Sequence, residues 1–113
     1  MSLAETPDPP YYAVIFTSTL ASDDGYGEMG ERMIELASQQ PGFLGIETTR
    51  GEDGLGITVS YWEDEASISE WKQKAEHRGA QKIGHERWYQ DFALRVAKVE
   101  RAYTKASSPE FSE

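Results

Sequence analysis

The chain has no cysteine, which excludes disulfides and thiolate metal sites and suits a reducing, cytoplasmic location. No apolar run approaches the ~20 residues that a membrane-spanning helix needs. The opening residues, MSLAETPDPP, are acidic and proline-rich and lack the charged-then-apolar pattern of a secretory signal. Positive charge is scarce as well: 11 Lys and Arg stand against 20 Asp and Glu, a formal net charge of −9. A nucleic-acid binder needs a basic face to displace counterions from phosphates, and an anionic membrane surface asks for the same. Neither partner is expected. Histidine occurs only twice, at His77 and His85. On a continuous helix eight positions place them ~80° apart, so they form no neat metal pair and no metal site is expected.

Aromatic residues are plentiful by contrast. Three Trp, six Tyr and four Phe in 113 residues are enough to fill a core, a pocket or a subunit interface. The length is that of one domain. Residues 1–10 read as a flexible lead-in, 11–103 as the folded domain and 104–113 as a disordered tail.

Tyr11 to Thr19 is β-branched and aromatic and reads as a strand, with Tyr12, Val14 and Phe16 on one face and Tyr11, Ala13 and Ile15 on the other. Both faces are apolar, so both call for cover. Asp23 or Asp24 can cap a helix from about Tyr26 to Gln39, whose apolar stripe is Tyr26, Met29, Met33, Leu36 and Ala37. Pro41-Gly42 ends it. Phe43 to Arg50 is a second strand, and the Asp53-Gly54 step signals a hairpin into a third, Gly56 to Trp62. Asp64 can cap the next helix, with Ile68, Trp71 and Ala75 on its apolar side. Ala80 to Tyr89 suggests a further helical stretch. Asp91 to Tyr103 is the last strand; Phe92, Leu94 and Val96 share one parity and Ala97 and Val99 the other, which suggests a β-bulge or an end with different surroundings.

The order β-α-β-β-α-β predicts an α+β, ferredoxin-like domain: a four-stranded antiparallel sheet with its helices on one face. The apolar second face would be an aggregation hazard if bare, and a symmetric homodimer with sheets packed face to face resolves it.

Gly25 to Gly30, GYGEMG, is a literal G-x-G-x-x-G between a strand and a helix, with Glu47 near the spacing of a ribose-binding acid. Asp23 and Asp24 put negative charge where a pyrophosphate would lie, a hairpin follows in place of a second crossover, and the chain is too short for a doubly wound sheet. The glycines are better explained as letting the loop turn into the helix and pack closely.

No G-x-S-x-G elbow or Ser-His-Asp pattern is present. His77 ends the helix after Trp62 and could serve as a base near neutral pH, or simply favour the negative end of the helix dipole. His85 lies in a polar run and reads as surface. Trp62 and Trp71, nine residues apart across a strand-to-helix turn, could line one cavity, Trp88-Tyr89 could close it, and Phe16, Met29, Met33 and Phe92 could complete the lining. Each of these is also a plausible core residue.

The stretch Gln40-Pro41-Gly42-Phe43-Leu44-Gly45, then Ser60-Tyr61-Trp62, an acidic turn, Trp71, Ala75-Glu76-His77 and the closing Val96-Ala97-Lys98-Val99 resemble the antibiotic biosynthesis monooxygenase (ABM) family of dimeric α+β barrels. The likeness runs from about Tyr11 to Tyr103. It implies a homodimer and a pocket between sheet and helices. It also implies a cofactor-independent monooxygenase acting on a small aromatic or quinol-type substrate, with His77 as base and the tryptophans shaping the cavity. Haem-degrading relatives of the superfamily use a strand-one asparagine and a histidine about ten residues after the helix tryptophan. This chain has no asparagine, and Gln81 stands at that histidine position with His77 one helical turn early, so a haem-degrading monooxygenase is the more remote alternative. A non-catalytic dimeric domain that binds a small hydrophobic ligand is the alternative from another class.

Overall fold

The computed structural model describes residues 3–21, 26–77 and 89–107, with backbone alone for Tyr26, Glu28, Met29 and 75–77. The elements are β1 (Tyr11–Leu20), α1 (Tyr26–Ser38), β2 (Phe43–Arg50), β3 (Leu55–Trp62), α2 (Glu65–His77) and β4 (Tyr89–Val99). The strands lie in the order β2-β3-β1-β4 with every neighbouring pair antiparallel. This is the expected ferredoxin-like α+β arrangement, with two βα crossovers and one hairpin.

Local chemistry sets the joints. The Asp64 carboxylate accepts the Ser67 amide at 2.8 Å and caps α2. Asp23 and Asp24, the alternative caps for α1, lie outside the described residues, as do residues 80–88 of the expected helical stretch Ala80 to Tyr89; its last residue, Tyr89, opens β4 instead. Gly42 turns the chain from α1 into β2 with φ +84°, a conformation that L side chains rarely adopt. Its carbonyl accepts the Glu63 amide at 2.8 Å, and a Cβ on it would sit 2.0 Å from Ser67 Oγ. The α1–β2 turn is thereby clamped to the start of α2. Gly54, at φ +88°, closes the β2–β3 hairpin where the Asp-Gly step predicted it.

Two expectations need correction. The register of β1 on β4 is unbroken from Tyr11↔Val99 to Thr19↔Asp91, so no bulge lies at the parity change near Val96. Ala97 and Val99 instead pair with Ala13 and Tyr11 on the other face of the sheet. The irregularity sits at the opposite end, where Leu20 pairs with Tyr89 and Gln90 is skipped. Strand β4 also begins at Tyr89 and ends at Val99, so the residues after it do not extend the ladder. Separately, a Cβ on Gly27 would meet nothing within 4 Å, so close packing does not explain that glycine of the G-x-G-x-x-G run.

Residues 3–10, read from the sequence as a flexible lead-in, make defined contacts on the sheet face away from α2. The Ala4 amide donates to Glu47 Oε2 at 3.0 Å, and Thr6 Oγ1 donates to the Tyr11 hydroxyl at 3.0 Å. Ala4 also lies against Gly45, where a Cβ would approach the Ala4 methyl to 2.9 Å. They cover the end of the face around Tyr11, Ala13 and Tyr61. At its other end Leu55 and Ile57 stay 47% and 42% exposed, although β3 is an interior strand.

Candidate functional site

Strand pairing sorts the residues of the helix-facing side into four transverse rows. From β4 through β1 and β3 to β2, the first is Phe92, Ser18, Gly56 and Arg50. The second is Leu94, Phe16, Thr58 and Thr48; the third is Val96, Val14, Ser60 and Ile46. The fourth holds Lys98, Tyr12, Trp62 and Phe43. Facing residues of neighbouring strands point the same way, so each row runs across the helix-facing floor of the sheet, with the β4 members Phe92, Leu94 and Val96 left 37%, 49% and 45% exposed.

Aromatic rings collect at two ends of this floor. Trp62 is stacked on Trp71 of α2 with centroids 6.3 Å apart, and Phe43 meets Trp62 edge-on at 5.4 Å. Trp62 has no exposed surface. Sealing an indole of ~200 Å² contributes about 5 kcal/mol at ~25 cal/mol per Å², which makes this contact the anchor of α2 on the sheet. The second group is Phe16, Tyr89 and Phe92: Phe16 lies 5.2 Å from Tyr89 and 5.5 Å from Phe92, and the last two are 6.1 Å apart. The skipped Gln90 is what lets Tyr89 and Phe92, three positions apart, face Phe16 together.

Between the ring groups a few hydroxyls stand among the apolar residues of the floor. Thr48 and Thr58 share a hydroxyl–hydroxyl bond of 2.6 Å. Ser60 Oγ accepts the Trp62 indole N–H at 2.9 Å. At the far end the Arg50 guanidinium reaches across Gly56 to Ser18, donating from Nη2 to Ser18 Oγ at 2.7 Å and from Nη1 to the Ser18 carbonyl at 3.1 Å. Nη1 also donates to the Gly54 carbonyl. Ser18 is 2% exposed, so this charge-assisted pairing satisfies a buried hydroxyl.

The shifted titratable groups of the sheet lie on the opposite face. Glu47 accepts Tyr61 Oη at 2.7 Å as well as the Ala4 amide, and these bonds hold its carboxyl below the ordinary value. Burial first, then the bond to Glu47, pushes the Tyr61 phenol up to about 12. This trio ties the N-terminal residues to the sheet.

The sequence-predicted residues therefore separate. Trp62 and Trp71 meet at one end of the floor, and Phe16 and Phe92 at the other. Met33 is half-buried on α1. His77 is the last residue of α2, with its backbone alone described, and Trp88 lies outside the described residues. The Trp62 N–H is spent on Ser60. Of the Trp88-Tyr89 pair named from the sequence, Tyr89 joins Phe16 and Phe92; sequence reasoning passed over Thr48, Thr58, Ser60 and Arg50. Thr58 and Ser60 share the parity of Trp62, which was a readable signal; Arg50 had only a glycine across from it in β3.

Comparison with known proteins adds a lineage. The family model for antibiotic biosynthesis monooxygenase matches residues 21–83, more than half of the chain. The uncharacterized protein YqjZ of Bacillus subtilis (strain 168) is 54% identical over 100 residues, covering 88% of each chain. Among solved structures, PA3566 from Pseudomonas aeruginosa superimposes with a TM-score of 0.66 at 17% identity, over 86% of this chain and 99% of its own. SnoaB, a cofactor-independent oxygenase from Streptomyces nogalater, does so with a TM-score of 0.66 at 11% identity, over 85% and 97%. At such identities these structures speak for the fold alone.

Proposed function

The chain belongs to the antibiotic biosynthesis monooxygenase family, and on that premise we propose that it is a cofactor-independent monooxygenase acting on a small aromatic or quinol-type substrate held between the sheet and the helices. The observation that carries the reading is the helix-facing floor, with rings at two ends and hydroxyls between them. A flat, largely apolar molecule bearing an oxygen matches such a surface. The deprotonated substrate supplies the electrons that reduce oxygen, so the protein's part is to exclude water, orient the ring and take up a proton. His77, closing α2, is the proposed base; Trp71, Phe16, Met33, Trp88 and Phe92 are the proposed walls, and Trp62 backs them from the core.

The proposed assembly is a cytoplasmic homodimer in which a second copy covers Leu55 and Ile57. Sedimentation as a pure monomer at micromolar concentration would overturn the dimer. No described helix is long and apolar enough to cross a membrane.

Oxygen uptake across a panel of quinols tests the activity. Uptake above buffer that His77→Ala reduces supports it, and no uptake across a broad panel refutes it. A second reading, ligand binding without turnover, is favoured by the composition of the floor. Among the described residues on the strands' helix-facing side there is no carboxylate or imidazole. A thermal shift with aromatic ligands and no oxygen uptake identifies that case.

A further inference from the structure

We propose that Ser60 is the group that orients the bound molecule, donating its hydroxyl proton to a phenolic, phenolate or carbonyl oxygen of the ligand. The inference rests on the reading of the helix-facing floor as the binding surface, and it names the polar contact that surface makes.

Ser60 stands in the third row, between Val14 on β1 and Ile46 on β2. It is a lone hydroxyl in an otherwise apolar row, in a position where a two-layer α+β domain would normally place a β-branched hydrocarbon. A hydroxyl has one proton to give and two lone pairs to receive. One lone pair takes the Trp62 indole N–H at 2.9 Å. Among the described residues no acceptor takes the Ser60 proton. Ser60 is half-buried, so that proton is neither sealed in the core nor fully washed by solvent.

The indole N–H does two things. It fixes the side chain, since the i, i+2 bond along one face of β3 pins the oxygen beside the Trp62 ring. It also polarises the hydroxyl, because accepting a hydrogen bond makes the O–H a better donor. Trp62 cannot itself reach a ligand, having no exposed surface. It acts through Ser60 as a positioning residue. Thr58 and Thr48 in the adjacent row are tied to each other at 2.6 Å, whereas the Ser60 oxygen is fixed by the Trp62 indole and lies beside the tryptophan stack with its proton pointing to no described acceptor. An oxygen-bearing ring laid across the floor would meet that donor between the Trp62–Trp71 stack and Phe16. A ring without oxygen would gain only the apolar walls.

The test is equilibrium dialysis with two near-isosteric probes, 2-naphthol and 2-methylnaphthalene, against wild type, Ser60→Ala and Ser60→Thr. Ser60→Ala is expected to weaken 2-naphthol about tenfold, the worth of one good hydrogen bond, and to leave 2-methylnaphthalene within about twofold. Ser60→Thr, which keeps a hydroxyl, is expected to recover most of the loss. A general weakening of packing would move both probes together, so equal loss for both, or loss for neither, overturns the role of Ser60. Failure of wild type to bind either probe overturns the binding surface itself, and with it this inference. Should Ser60→Ala not fold, because the Trp62 N–H is left without an acceptor, Ser60→Cys keeps a weak acceptor there and is read in the same way.

Discussion

Gly56→Ala should change the sign of its effect when Arg50 is removed. Arg50 lies directly across from Gly56, and its guanidinium passes over β3 to reach Ser18. A Cβ on Gly56 would stand 2.5 Å from Arg50 Cζ, 2.7 Å from Nη2 and 2.8 Å from Nε. Among the described glycines those at positive φ are Gly42 and Gly54, not Gly56, so the Gly56 backbone gives no reason to prefer glycine. Alanine would push the guanidinium off Ser18 and strand a hydroxyl that is 2% exposed, at a cost of about 1–3 kcal/mol. Against that, Ala in place of Gly inside a strand returns about 0.5–1 kcal/mol of backbone entropy. The net expectation is a loss of about 1–2 kcal/mol for Gly56→Ala and about 2–3 kcal/mol for Arg50→Met, which gives up the charged bonds directly. In the Arg50→Met background the clash is gone, and Gly56→Ala should stabilise by about 0.5–1 kcal/mol. Urea unfolding followed by tryptophan fluorescence reads all four proteins, with shifted midpoints at constant slope. An equal loss from Gly56→Ala in both backgrounds would refute the transverse bridge.

Three further outcomes follow from the geometry. Gly42→Ala should cost about 1–3 kcal/mol from backbone conformation alone, with the contact to Ser67 Oγ added, and an unchanged thermal midpoint would contradict the clamp between the α1–β2 turn and α2. Asp64→Ala should reduce helical circular dichroism and stability while Asp64→Asn retains most of both, since an amide oxygen can still accept the Ser67 N–H; equal behaviour of the two variants would remove the cap. The Glu47–Tyr61 pair should make stability fall at both pH extremes. Glu47 is depressed in the fold, so its contribution is present above the ordinary 4.5 and is lost as pH falls through the folded value. Tyr61 is raised, so its contribution is full below the ordinary 10.0 and is lost as pH climbs toward about 12. Tyr61→Phe should flatten the alkaline limb in urea midpoints measured across pH, and an unaltered limb would refute the assignment.

The fold was legible because each element carries its own local signal. Alternation in Tyr11 to Thr19, the helical stripe through Met33 and Leu36, Pro41-Gly42, Asp53-Gly54 and Asp64 all act within a few residues of themselves, and the element order follows from them. The irregularity of β4 was misplaced for a related reason. A parity change marks either a bulge or a pair of faces that are each half covered, and only the partner strand distinguishes them: Val99 faces Tyr11, whereas the skipped residue is Gln90.

The floor is a different kind of object, and its illegibility is the argument for how this fold is adapted. A transverse row joins residues from four strands, such as Val96, Val14, Ser60 and Ile46, that are distant in sequence and related only by register. Arg50 and Gly56 belong together because a missing Cβ opens a path for a side chain six positions earlier to reach a serine on a third strand. Trp62 was legible as an aromatic anchor but not as a residue whose N–H is occupied, because that depends on which neighbour shares its face. Changing one hydroxyl in a row alters the chemistry offered to a ligand while leaving every strand's alternation intact. The row around Ser60, rather than the anchor, is where ligand selectivity should be altered by substitution.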